Sequence, residues 1–165
     1  MSRASGGITE GSPTGDATPG AGAGAGRVRA AGSTASDICI GGAIRKKGNL
    51  VVRYHGSGAR KPILLLAHTD VVEAKREDWS MDPFQLTEKD GYFYGRGTGD
   101  DKAQSAVWIA LLLQYKAYGS TPDREIIVAP TAYERGGGPF NGVEWLRKKP
   151  PDGHSGDTAP TAGAR

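Results

Sequence analysis

Apolar positions in this chain follow two rhythms, one of strand length and one of helical spacing, and the two alternate between turn residues. Residues 50–54, Leu-Val-Val-Arg-Tyr, form a short β-branched run between Gly48-Asn49 and Gly56 and predict a strand. Residues 62–67, Pro-Ile-Leu-Leu-Leu-Ala, are apolar almost without interruption, the pattern of a central strand buried on both faces. Residues 84–87 and 92–94 flank Lys89-Asp90-Gly91, and the Asp-Gly pair predicts a β-hairpin. Over residues 101–118, Ala106, Ile109, Ala110, Leu113 and Ala117 recur at helical spacing, with Asp100 and Asp101 at the positive end and Gly119 as a stop. Residues 125–129 predict another buried strand, and residues 140–146 a helix opened by Asn141 or Pro139. Strand, hairpin, helix, strand and helix together predict an α/β domain with a mostly parallel sheet flanked by helices.

Outside that span the rhythm stops. Residues 1–36 are Gly, Ala, Ser, Thr and Pro with almost no large apolar side chain, which predicts a disordered segment, because too little surface can be buried to offset the ordering entropy. The alternating run at residues 21–26 lacks the Lys-Ser/Thr ending of a phosphate-binding loop. Residues 150–165 carry no periodic apolar positions and predict a disordered tail, leaving residues 37–149 as the folded part. Composition sharpens this division, since 26 Gly, 10 Pro and 37% hydrophobic residues in a chain of 165 leave apolar content for one core only. A net charge of +3, scattered along the chain, is too mild for a nucleic-acid surface. The single Cys39 excludes an internal disulfide and a Cys-x-x-Cys zinc site. No apolar run of signal-peptide length follows Met1 and none of membrane-spanning length occurs, so the expectation is a cytoplasmic chain with no membrane partner.

Three polar clusters follow predicted elements, at the strand ends where open α/β sheets bind ligands. After the apolar strand come His68-Thr69-Asp70, a spacing that suits either a metal-ligating His with a supporting carboxylate or two side chains bonded to local backbone. Between hairpin and helix lies Gly95-Arg-Gly-Thr-Gly-Asp-Asp-Lys102. Its glycines suggest a dinucleotide loop, but carboxylates and a Lys stand where the last Gly of that fingerprint belongs. The two aspartates suit either helix caps or a bridge between two cations. After the last strand comes Thr131-Ala-Tyr-Glu-Arg-Gly-Gly-Gly138, in which Glu134 is either a solvated strand-end carboxylate or a general base.

The segments LLLAHTDVV, DWSMDPF, DGYFYGRGTGDDK and TAYERGGGPFNGVEWL, in this order and at this spacing, resemble the zinc metallopeptidases that include glutamate carboxypeptidase, aminoacylase, carnosinase-type dipeptidases and succinyl-diaminopimelate desuccinylase. The resemblance implies a zinc-exopeptidase-like catalytic domain that hydrolyses peptide or N-acyl amide bonds with water activated by two zinc ions. By the same resemblance His68 is a ligand of one zinc, Asp100 the carboxylate bridging both, Asp70 the catalytic Asp supporting the ligand His, and Glu134 the general base. It also implies a cis peptide bond between Asp100 and Asp101.

The chain departs from that family in three places. Where the family reads Asp-Glu-Glu, this chain has Tyr133-Glu134-Arg135, so a cation replaces a ligand carboxylate. Such a cation about 4 Å from a divalent metal is repelled by several kcal/mol even at an effective dielectric of about 20. The family's downstream carboxylate and C-terminal His are missing, and His154 and Asp157 in a Pro/Gly tail are poor substitutes. Nor does the chain hold the family's inserted oligomerisation domain. The reading is therefore a truncated metallopeptidase domain acting on a peptide or N-acyl amino acid, with weak or incomplete zinc binding. The alternative is a non-catalytic remnant or binding module.

Overall fold

The computed structural model describes residues 16–132 and 141–148. Four strands, β1 (Ile38–Gly41), β2 (Asn49–Tyr54), β3 (Ile63–His68) and β6 (Ile126–Thr131), form one sheet in the order β1-β2-β6-β3. Between β3 and β6 lie a hairpin of β4 (Thr87–Lys89) and β5 (Tyr92–Tyr94) and the helix α2 (Lys102–Ala117). Two further helices, α1 (Thr18–Ala30) and α3 (Gly142–Lys148), bracket the sheet in sequence. Ala21, Ala25 and Val28 of α1 and Ile109 and Leu112 of α2 bury one sheet face together with Leu50, Val52, Ile126 and Val128. On the opposite face α3 sets Trp145 over Gly41, where a Cβ would stand 2.7 Å from the indole.

The predicted elements from residue 50 onward are present, with shifts that have local causes. Asp90 and Gly91 both have positive φ, 52° and 78°, so the turn is a two-residue loop and Lys89 pairs with Tyr92 inside the ladder. Asn141 opens α3, its side-chain oxygen accepting the Glu144 N–H at 3.0 Å.

Three expectations are corrected. The sheet is mixed rather than mostly parallel, because β1–β2 and β2–β6 are antiparallel and only β3–β6 is parallel among the described strands. An apolar run reports burial and says nothing of the direction of its neighbour. The strand β3 is an edge of the described sheet, not its centre; β6, with five of its six residues buried, holds the interior place. Finally, the disorder expected through residue 36 does not hold from Thr18 onward, where α1 packs on β2 and α2. The missed signal is Ala21, Ala25 and Val28 at the i, i+4, i+7 spacing of one helix face, all at most 2% exposed. Gly24 belongs to the same contact, since Leu50 Cδ2 sits 2.7 Å from where its Cβ would be. The tail at residues 150–165 lies outside the described residues.

Candidate metal centre

Parallel pairing of β3 with β6 brings two strand ends to the same edge of the sheet, with His68 opposite Thr131 and the Thr69 N–H bonded to the Thr131 carbonyl at 2.8 Å. Directly beyond β3 the chain turns so that the His68 ring meets its own neighbour. His68 Nδ1 lies 3.0 Å from the Asp70 main-chain oxygen and 3.6 Å from its carboxylate, and Asp70 is fully buried. The other ring nitrogen, Nε2, lies 3.0 Å from Asp100 Oδ1, whose side chain is 62% exposed. One nitrogen is thus held from inside the protein while the other faces an accessible carboxylate.

Asp100 reaches this point through the Gly95–Lys102 loop. Gly97, at φ 88°, packs so closely that a Cβ would stand 2.9 Å from Val71 Cγ1. The Arg96 N–H donates to Pro83 O at 2.6 Å, and its guanidinium lies over the Trp79 ring at 5.1 Å. The Asp-Trp-Ser-Met-Asp-Pro segment, to which the sequence reading gave no role, is therefore the brace of that loop. The bond between Asp100 and Asp101 is cis.

Sequence reasoning also missed how β3 is fastened to α2. Asp101 does not cap its own helix: its Oδ2 accepts the His68 N–H at 3.2 Å, and the Ser105 hydroxyl donates to the His68 carbonyl at 3.3 Å. Asn49 is a second omission. Its amide donates to Gly41 O at 3.0 Å and its carbonyl accepts the Ala132 N–H at 2.8 Å, while the Gly142 N–H donates to Ala132 O at 3.0 Å. The two ends of the segment that carries Glu134 are thereby pinned together. Glu134 and Arg135, with Tyr133, lie outside the described residues, as do His154 and Asp157.

The donor set fits a divalent metal in kind but not in number. A His whose far nitrogen is engaged by a buried Asp, beside an exposed carboxylate, is the chemistry of a zinc ligand pair. Among the described residues, however, no group of three His, Cys, Asp or Glu side chains is placed to hold an ion, and none of their helices is long and apolar enough to cross a membrane.

Comparison with known proteins places this arrangement. The chain is 40% identical over 90 residues to the succinyl-diaminopimelate desuccinylase of Delftia acidovorans, a match covering 53% of this chain and 23% of that enzyme. A probable succinyl-diaminopimelate desuccinylase of Staphylococcus aureus is 43% identical over 79 residues, covering 47% of this chain and 19% of the relative. In fold the chain is similar to human carnosine dipeptidase 1, with a TM-score of 0.59 at 21% identity over 77% of this chain and 28% of that one. The di-peptidase Dug1p of Saccharomyces cerevisiae gives a TM-score of 0.58 at 22% identity, over 75% and 28%. The chain thus spans about a quarter of the length of these relatives. Residues 64–162, which contain all three polar clusters, match the profile of Peptidase family M20/M25/M40, and the chain belongs to that family.

Proposed function

We propose that this chain carries part of the centre of a metal-dependent hydrolase of peptide or N-acyl amide bonds, with His68 and Asp100 as donors to zinc. The observation that carries the reading is the His68 ring, with Nδ1 engaged by Asp70 and Nε2 at 3.0 Å from Asp100. In such a centre bound metal supplies Lewis acidity toward water and a carbonyl oxygen. Asp70 fixes the His68 ring and tautomer so that Nε2 offers its lone pair outward. Asp101 and Ser105 hold the His68 main chain, so the ring has little room to swing away. Asp100 brings the negative charge that a cation needs, and Glu134 would take the proton from water.

Among the described residues, two donors are one short of the three protein ligands of an open zinc site. Arg135 adds a positive charge where the family has a carboxylate. The chain alone is therefore expected to bind zinc weakly and to be inactive, and the competing reading is a non-catalytic remnant or binding module. Zinc titration by calorimetry, beside a hydrolysis assay on dipeptides and N-acyl amino acids, tests both. Weak binding that falls about tenfold or more in His68→Ala and in Asp100→Asn supports the reading. Binding unchanged in both variants overturns the ligand assignment, and robust zinc-dependent turnover by the unmodified chain overturns the expectation of inactivity.

A further inference from the structure

From His68 the chain runs out through β4 and β5 and comes back to its starting point, where Asp100 meets the His68 ring. Glycines at 95, 97 and 99 leave the returning loop with no backbone preference of its own, so contacts must fix its path. Arg96 supplies two of them. Its main-chain N–H donates to Pro83 O at 2.6 Å, and Pro83 is fully buried. Its guanidinium lies over the Trp79 ring at 5.1 Å, with Nε buried and without a hydrogen-bond partner among the described residues, so the ring face is what receives this cation. Trp79 is itself tied down, since its carbonyl accepts from Arg76 Nη1 at 2.5 Å and its N–H donates to Arg76 O at 3.2 Å. Beside Arg96, Gly97 packs on Val71, the neighbour of Asp70 in sequence. The Thr98 N–H and hydroxyl then close the turn on Gly95 O, at 3.3 and 2.9 Å.

We propose that Arg96 is a positioning residue: by holding the Trp79 ring it fixes where the returning loop sits, and with it the approach of the Asp100 carboxylate to His68 Nε2. The lever is short, with three residues between Arg96 and Asp100. Because Gly97 touches Val71 at the same place, the fastening also borders Asp70, the group behind the ring. All of these contacts lie within residues 68–102, so what adjoins the ends of the sequence does not enter them. The placement belongs to the metal-free chain, and only its consequence for zinc rests on the reading of His68 and Asp100 as donors.

The test uses the full metal-free chain at one fixed pH, with amide hydrogen exchange and long-range proton–nitrogen NMR of the His68 ring, and with Asp100→Asn as the reference for a lost contact. Arg96→Ala and Trp79→Leu are each expected to speed exchange of the amides at 96 and 98 about twofold to fivefold, the size of a partly exposed cation–ring contact, while the amides of β2 and β6 stay unchanged. Both should move the His68 Nε2 resonance toward its position in Asp100→Asn. The double variant should go no further than either single one, because both remove the same contact. Trp79→Phe keeps a ring face and should retain most of both signals. Should Trp79→Leu lose its circular dichroism signal, Arg96→Ala and Trp79→Phe decide. Exchange that quickens equally across β2 and β6 would make Arg96 a general stabiliser and overturn the proposal. A His68 resonance unmoved in Arg96→Ala overturns it as well, whether or not Asp100→Asn moves it. Zinc titration of the same variants separates the two readings: affinity should fall about twofold to fivefold in Arg96→Ala where Asp100 is a donor. An affinity that neither Asp100→Asn nor Arg96→Ala alters overturns the donor reading, and the His68 resonance then decides the placement alone.

Discussion

On the proposed reading Arg135 takes the place of a ligand carboxylate, and the sign of its charge sets an expected outcome. Arg135→Glu exchanges a repelled cation for a donor, so zinc affinity should rise. An unchanged affinity in calorimetry would mean that position 135 does not face the metal. Asn49, 1% exposed, acts by hydrogen bonding alone, through Gly41 O and the Ala132 N–H. Asn49→Ala leaves the Ala132 N–H buried without this partner and removes the part-buried bond to Gly41 O, and should cost about 1–3 kcal/mol in urea unfolding. Its effect on any zinc affinity should be smaller than that of His68→Ala, since it touches neither donor. The His-x-Asp and Asp-Asp clusters were legible because their residue types stand side by side in the chain. Asn49 was not, because its partners lie 8 and 83 positions away.

At the scale of the element, α1 shows a helix made by its contacts. Glycines at alternate positions oppose helix formation by about 1 kcal/mol each relative to Ala, yet the stripe of Ala21, Ala25 and Val28 docks the segment on β2 and α2. The four glycines therefore differ in consequence. A Cβ on Gly22 or Gly26 meets nothing within 4 Å, so Gly22→Ala and Gly26→Ala should each stabilise the fold by about 0.5–1 kcal/mol and raise the melting temperature. Gly24→Ala pushes on Leu50 at 2.7 Å, so its gain should be smaller or reversed. Equal shifts in all three variants would mean that α1 is not seated on β2. The helix α2 is the opposite case: its helix-forming run and its Gly stop lie within one segment, although its buried face is Ser105, Ile109 and Leu112 while Ala110 and Ala117 of the predicted stripe are exposed.

For the molecule as a whole, the end of the sheet opposite His68 carries a polar junction between the α1–β1 connection and the strands. Asp37 accepts from the Thr34 hydroxyl at 2.7 Å and N–H at 3.1 Å and meets His55 Nε2 at 2.9 Å, while Arg53 pairs with Glu125. Burial pushes the Asp37 carboxyl up, but the hydrogen bonds from Thr34 and His55 outweigh it and hold it below its ordinary value. A depressed carboxyl contributes stability that is complete above its unfolded pKa and lost as pH falls through the folded one. Acidification below about pH 4 should therefore weaken the attachment of the N-terminal segment. Thr34→Ala should raise the Asp37 titration, followed by NMR, and the stability difference between this variant and the unmodified chain should shrink as pH falls through that range. A difference independent of pH would remove Asp37 from the account.

What the sequence determined by itself was whatever acts over a few residues: the apolar runs of β2, β3 and β6, the Asp-Gly turn, the helix α2, and the clustering of His68, Asp70 and Asp100 at element ends. Each is a matter of side-chain spacing or backbone preference, written locally in the chain. Tertiary structure decided the mixed direction of the described sheet, the place of β3 outside β6 among the described strands, the folding of α1, and the use of Asp101 and Ser105 to hold the His68 main chain. These depend on which surfaces meet far from one another in sequence, as Asp101 meets His68 at a separation of 33. Such contacts form because the docked faces together bury more apolar surface than either buries alone, and no local pattern names the partner.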